Sequence, residues 1–201
     1  MHKGCKKTCW TKNVDRHKQI LDIAEDLLLD RGYNGFSYKD ISAALNIRNA
    51  SIHYHFPKKT DLGVAIIERA THRFQKWATK IDRTDLPCSK KLDEFCLIFK
   101  TFVEEKQVCL GGALQTDYET LPEEMQKEAQ IFLSRTFQWL EHILAVGKKR
   151  GEFDFPGSAA DQALLTIASL QGAVQIVRVT SPASFDATVK QIKRYVCAKI
   201  L

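Results

Sequence analysis

Apolar side chains recur along this chain at every third or fourth position rather than in alternation, and that spacing predicts helices. Ile20, Ile23, Ala24, Leu27 and Leu28 fall at i, i+3, i+4, i+7 and i+8, so they line one face of a helix from about Asp15 to Arg31. Gly32 suits a left-handed cap at its end. Ser37 is a favourable N-cap for a short second helix, Tyr38–Leu45, with Ile41, Ala44 and Leu45 inward. Asn46 can take the positive-φ position of a tight turn. A third helix, Asn49–His55, turns Ile52 inward and ends at Phe56-Pro57, because proline disfavours helical backbone in the residue before it. Longer helices follow over Thr60–Ile81, Cys88–Lys106 and Leu110–Glu119, then from Pro122 to about Arg150, with proline placed in the first turn. Ser158–Val179 and Ser184–Lys199 make a last pair, split by Ser181-Pro182. The pattern is all-α, with about nine helices and no convincing strand.

Two short helices joined by a tight turn, behind a longer amphipathic one, form a helix-turn-helix. The second of them must be slim and polar on its outer edge to enter the major groove of DNA, about 12 Å wide. Arg48, Asn49, Ser51, His53 and Tyr54 supply that edge. Arginine pairs with guanine, asparagine with adenine and serine with either, while the tips of Tyr54 and His53 can hold phosphates.

Charge agrees with this placement. Residues 1–60 hold eleven Lys and Arg against six Asp and Glu; residues 61–201 hold nineteen against eighteen. Most of the net charge of +6 therefore sits in the first third, as expected of a nucleic-acid-facing end. Residues 1–14 form a basic segment that is either an arm reaching along DNA or a solvated tail. That segment has no apolar run of the secretory kind, and none in the chain reaches the roughly 20 residues of a membrane span, so a cytoplasmic protein with no membrane partner is expected. The six cysteines lack the paired spacings of a zinc ribbon, and no metal or cofactor is expected. Cys109 and His142 are the only nucleophile–base pair on offer, and no spacing brings them together, so the chain does not read as an enzyme. A DNA-packaging protein would explain the basic first third but not the long neutral remainder.

The run from Gly32 to Ile47 and the run Ser51-Ile52-His53-Tyr54-His55-Phe56-Pro57-Lys58-Lys59-Thr60-Asp61-Leu62 resemble the signature of the TetR family of transcription regulators. His55, Phe56, Lys59, Asp61 and Leu62 match its pattern, and the resemblance covers about residues 15–65. Three positions depart from it: Asn46 stands where glycine is usual, Arg48 where serine or threonine is, and His53 where tyrosine is. The resemblance implies an N-terminal three-helix DNA-binding domain (15–59) and a C-terminal helical domain for effector binding and dimerisation (60–201). It implies a homodimeric repressor, released from a palindromic operator by a small hydrophobic or thiol-reactive effector. By the same resemblance Ser37 and Lys59 contact phosphates, with Tyr38 and Lys39 assisting.

For the C-terminal domain the resemblance implies subunit pairing through the last two helices. The residues expected there are Ala163, Ile167, Leu170, Val174 and Val177 on the former and Phe185, Val189, Ile192 and Val196 on the latter. Phe74, Trp77, Phe99, Phe102, Tyr118 and Trp139 either line an effector cavity or form plain core. Gln171 and Gln175 serve a pocket or an interface. Cys109, beside Lys106 and before a helix start, is either a thiol of lowered pKa that senses electrophiles or a small buried side chain.

Overall fold

The computed structural model describes residues 15–197. The basic segment 1–14, with His2, Cys5 and Cys9, and residues 198–201 lie outside the described residues. Nine α-helices occur among those described: α1 (Arg16–Arg31), α2 (Tyr38–Leu45), α3 (Asn49–His55), α4 (Lys59–Asp82), α5 (Cys88–Glu104), α6 (Leu110–Thr116), α7 (Glu123–Lys149), α8 (Ala159–Val177) and α9 (Ala183–Val196). Local chemistry sets their ends. Asp15 accepts from the Lys18 amide at 3.1 Å to cap α1. At α2 the Asp40 carboxylate accepts from both the amide and the hydroxyl of Ser37, at 2.8 and 2.7 Å. Asn46 takes the left-handed conformation (φ 51°, ψ 51°) that lets the chain turn from α2 into α3. The segment expected as one helix over Leu110–Glu119 stops at Thr116 and continues as a 3₁₀ turn, Tyr118–Thr120. Gln126, in the first turn of α7, donates to the carbonyls of Tyr118 and Leu121 and so holds that turn.

Gly32 does end α1, but at φ 76° and ψ 169° rather than in the left-handed helical region. That combination is essentially restricted to glycine. A Cβ there would also lie 2.8 Å from a carboxylate oxygen of Asp117.

Two hydrophobic clusters organise the molecule. The first joins α1, α2, α3 and the start of α4 through Ile20, Leu28, Ile41, Ile52, Leu62 and Ile66, all fully buried. It does not close on itself: Val108, Leu114, Met125 and Ala129, from the α6 region and the start of α7, complete it. The cluster thus crosses the boundary expected between residues 59 and 60. The second joins the far half of α4 to α5, α7, α8 and α9. Because α4 lies in both, the two halves of the chain share one rigid rod.

The residues expected at a subunit contact belong to that second cluster. Ala163, Leu170, Val174, Phe185, Ile192 and Val196 are buried within the chain, and Ile167, Val177 and Val189 are packed half-buried against them. Periodicity identifies an apolar face but not what covers it, and α8 is apolar nearly all round. Its uncovered face carries Leu164, Leu165 and Ile176, exposed by 61, 50 and 52%, and Val179, just past its end, is exposed by 86%.

Replacing Gly32 by alanine should lower unfolding free energy by about 1–3 kcal/mol, since the backbone is strained for any side chain. Urea unfolding of the full chain, read by circular dichroism, checks this.

Candidate nucleic-acid interface and adjoining cavity

The third helix lies over the first cluster with one side chain, Ile52, fully buried beneath it. Its other positions face outward: Arg48, Asn49, Ala50, His53 and Tyr54 are exposed, Tyr54 by 84%, and Ser51 is half-buried. Ser37 and Lys39, at the start of α2, are exposed as well. His53 sits edge-on to the Tyr38 ring, centroids 4.8 Å apart, with Nδ1 3.2 Å from the Pro57 carbonyl oxygen. That contact requires a proton on Nδ1, so the outward Nε2 is the atom left for a further partner. His17 of α1 packs on Phe56 and His55, with ring centroids 4.6 and 5.9 Å away.

Two residues expected at phosphates have structural partners instead. The Tyr38 ring is buried, and its hydroxyl donates to the Phe56 carbonyl at 2.8 Å, tying the start of α2 to the end of α3. Burial pushes that hydroxyl up to about 12, so it stays a donor at every physiological pH. The Lys59 ammonium folds back onto the α1–α2 connection. It donates to the Tyr33 carbonyl at 2.5 Å and to the Phe36 carbonyl, and lies 4.4 and 4.3 Å from the centres of those residues' rings. Burial lowers its pKa from the usual lysine value. Lys58, which sequence reasoning missed, is the exposed neighbour. As N-cap of α4 its side chain faces outward, a placement the adjacent pair Lys58-Lys59 leaves undecided until the helix start is known.

Beyond this face, a cavity of about 520 Å³ opens between α1, α4, α5, α6 and α7. Of the aromatic residues expected to line a pocket, Phe74, Trp77 and Phe102 do so. Phe99 is buried beside Phe95 (5.4 Å), and Trp139 is buried beside Trp77 with its indole N–H donating to Asp82 at 3.0 Å. Tyr118 accepts from Gln130 at 2.5 Å, away from the cavity. Gln171 lines a second hollow, of about 400 Å³, and Gln175 is exposed. At the rim of the larger cavity α1 and α4 are cross-linked: Glu25 accepts from both Arg69 and Arg73, and Arg69 also donates to Asp22 at 2.5 Å. The acidic residues at 22, 25 and 26 and the arginines at 69 and 73 share helical faces, a readable signal for this seam.

Cys109 is 5% exposed, and its Sγ accepts from the Gly112 amide at 3.4 Å as N-cap of α6. Burial raises its pKa, outweighing the amide contact, so of the two readings the small buried thiol fits and the thiol of lowered pKa does not.

A helix-turn-helix with its second helix presented outward, mounted on a larger helical body, defines a DNA-binding regulator. Residues 20–66 match the family described as "Bacterial regulatory proteins, tetR family". The structure superposes on a TetR-family regulator from Agrobacterium tumefaciens with a TM-score of 0.86 at 26% identity, covering 90% of this chain and 97% of that one. A TetR regulator from Legionella pneumophila gives 0.81 at 29% identity with the same coverages. The chain is also 28% identical over 112 residues to the negative regulator of the biofilm operon, IcaR, of Staphylococcus epidermidis; that match spans 56% of this chain and 60% of IcaR. Residues 20–66 thus carry the region that marks the tetR family, and the chain is similar along nine-tenths of its length to the solved structures of TetR-family regulators.

Replacing Lys59 by methionine removes the donor shared by two carbonyls. Unfolding free energy should fall by about 1–3 kcal/mol. The salt dependence of DNA binding should keep its slope, whereas loss of one phosphate contact would flatten it by about 0.9. Urea titration and binding at several salt concentrations separate the two.

Proposed function

We propose that this protein is a homodimeric repressor that reads a palindromic operator with α3 and is released by a small, largely hydrophobic effector. One observation carries the reading: α3 buries Ile52 and turns Arg48, Asn49, His53 and Tyr54 outward together. Arg48 and Asn49 open the helix and suit base edges, Ser51 either a base or a phosphate. Ser37, Lys39, Lys58 and the tips of His53 and Tyr54 suit phosphates. IcaR, a negative regulator, supports repression over activation.

Dimerisation falls to the uncovered face of α8, with Leu164, Leu165 and Ile176, to Val179 just past its end, and to Tyr195 of α9. Two copies of α3 about 34–36 Å apart would address successive turns of one duplex. The cavity beside α1 and α4 is the effector site, and its apolar walls favour a non-reactive ligand. The buried, neutral Cys109 gives the thiol-reactive alternative no support. Effector binding has routes to the DNA-binding half: α4 itself, the Val108 amide donating to the Leu29 carbonyl at 3.1 Å, and Asn34 donating to Asp117 and Thr120 at 3.3 and 2.7 Å. A ligand acts through them only by favouring one of two arrangements. The division is 15–59 for DNA and 60–201 for sensing and pairing, with α4 common to both. The cytoplasm is the compartment such an activity requires; no helix among the described residues is long and apolar enough to cross a membrane.

Selection of bound duplexes from random DNA should enrich an inverted repeat, and the Arg48→Ala variant should lose preference at one position per half-site, at about 1–3 kcal/mol. Unbiased recovery with the unaltered protein rejects the proposal.

A further inference from the structure

The lining of the larger cavity combines charged and aromatic side chains. Four carboxylates, Asp22, Glu25, Asp26 and Glu105, and two guanidinium groups, Arg69 and Arg73, belong to it. Phe74, Trp77, Phe102 and Phe132 supply its aromatic walls. Asp22 and Glu25 are paired with the arginines, whereas Asp26 and Glu105 have no ion-pair partner among the described residues. We propose that this cavity binds an amphiphilic organic cation, its positive head at α1 and its aromatic or aliphatic body among the rings, and that the head competes with Arg73 for Glu25.

The charges select among ligand classes. An anionic head would need a guanidinium, and both are held by Glu25, whose side chain is only 10% exposed. Drawing one away toward an anion leaves a nearly buried carboxylate short of a partner, a costly arrangement. A neutral ligand crowding the same space would partly desolvate Asp26 and Glu105 and return nothing to them. A cation pairs with those free carboxylates and gains from the ring faces below. The two arginines are not equally held. Arg73 has a single carboxylate contact and a side chain 56% exposed, so it can return to water when a cation replaces it. Arg69, 21% exposed, keeps Asp22 and the Leu21 carbonyl, and its Nε is a buried donor with no partner of its own.

The site would therefore sense its ligand at the seam itself. The carboxylates at 22, 25 and 26 belong to α1, which shares a hydrophobic cluster with α2 and α3, so exchange of Arg73 for a diffusible cation alters the tie between α1 and α4. This regulatory consequence rests on the effector reading above; the charge preference of the cavity does not.

Tetraphenylphosphonium and tetraphenylborate have nearly one shape and opposite charge, and triphenylphosphine oxide is a neutral analogue. Calorimetric titration of the full chain with each should show the phosphonium binding at least about tenfold more tightly than the other two. The Asp26→Asn, Glu105→Gln double variant alters two exposed side chains that make no side-chain hydrogen bond among the described residues. It should weaken phosphonium binding about fivefold and leave the neutral compound unchanged. Equal affinities for all three, or a double variant that keeps the full preference, would overturn the cation site while leaving an effector cavity in place. Binding of selected operator DNA, measured with and without phosphonium, isolates the regulatory step. Release supports the competition at Glu25; tight, selective phosphonium binding with unchanged DNA affinity refutes it and leaves the DNA-binding reading standing.

Discussion

A seven-residue helix cannot hold its own shape in water, where isolated helices below about 12–15 residues are marginal. The surface proposed to read DNA is such a helix, so its shape depends on what lies under it. Ile52 is its one fully buried side chain, Phe56 follows it into the core, and the Tyr38 hydroxyl takes the carbonyl of Phe56. Burial of a side chain like Ile52 contributes about 1.5–3 kcal/mol. With a single face anchored in this way, the remaining positions of α3 are free to be polar and are held in a fixed orientation without being covered. Lys59 works from the next turn of chain, closing the connection between α1 and α2 with its ammonium.

The same platform joins DNA contact to the rest of the molecule. The first cluster is incomplete without Val108, Leu114, Met125 and Ala129, which come from segments far along the chain. The α4 helix passes from that cluster into the second, and the Glu25–Arg69–Arg73 seam binds it to α1. The DNA-binding half is thus not an appended module. Any ligand that changes packing at the seam acts on the elements that orient α3, which is why a cavity opening there is of functional interest.

Much of this was legible before the structure. Helices α2 and α3 have the expected bounds, with Ile41 and Ile52 inward but Ala44, also expected inward, exposed, and Asn46 occupies the positive-φ turn that its side chain tolerates. Positions whose role depends on distant partners were not legible. Tyr38 and Lys59 carry polar tips suited to phosphate, yet long-range neighbours, the Phe56, Tyr33 and Phe36 carbonyls, claim those tips. Cys109 does cap a helix start, but burial outweighs the local field in setting its pKa. On α8 both faces are apolar, and no local rule says which one the chain itself covers. The seam between α1 and α4 is visible in sequence as charge spacing on two helices; its meaning emerges only when they are brought together.

A photo-activated side chain placed at position 54, the most exposed point of the α3 edge, tests the central claim most directly. Irradiated in complex with duplex DNA, the full chain should cross-link through that position to bases within the duplex, at two places about one helical turn apart. Cross-links confined to protein, or scattered along the DNA without register, would contradict the account.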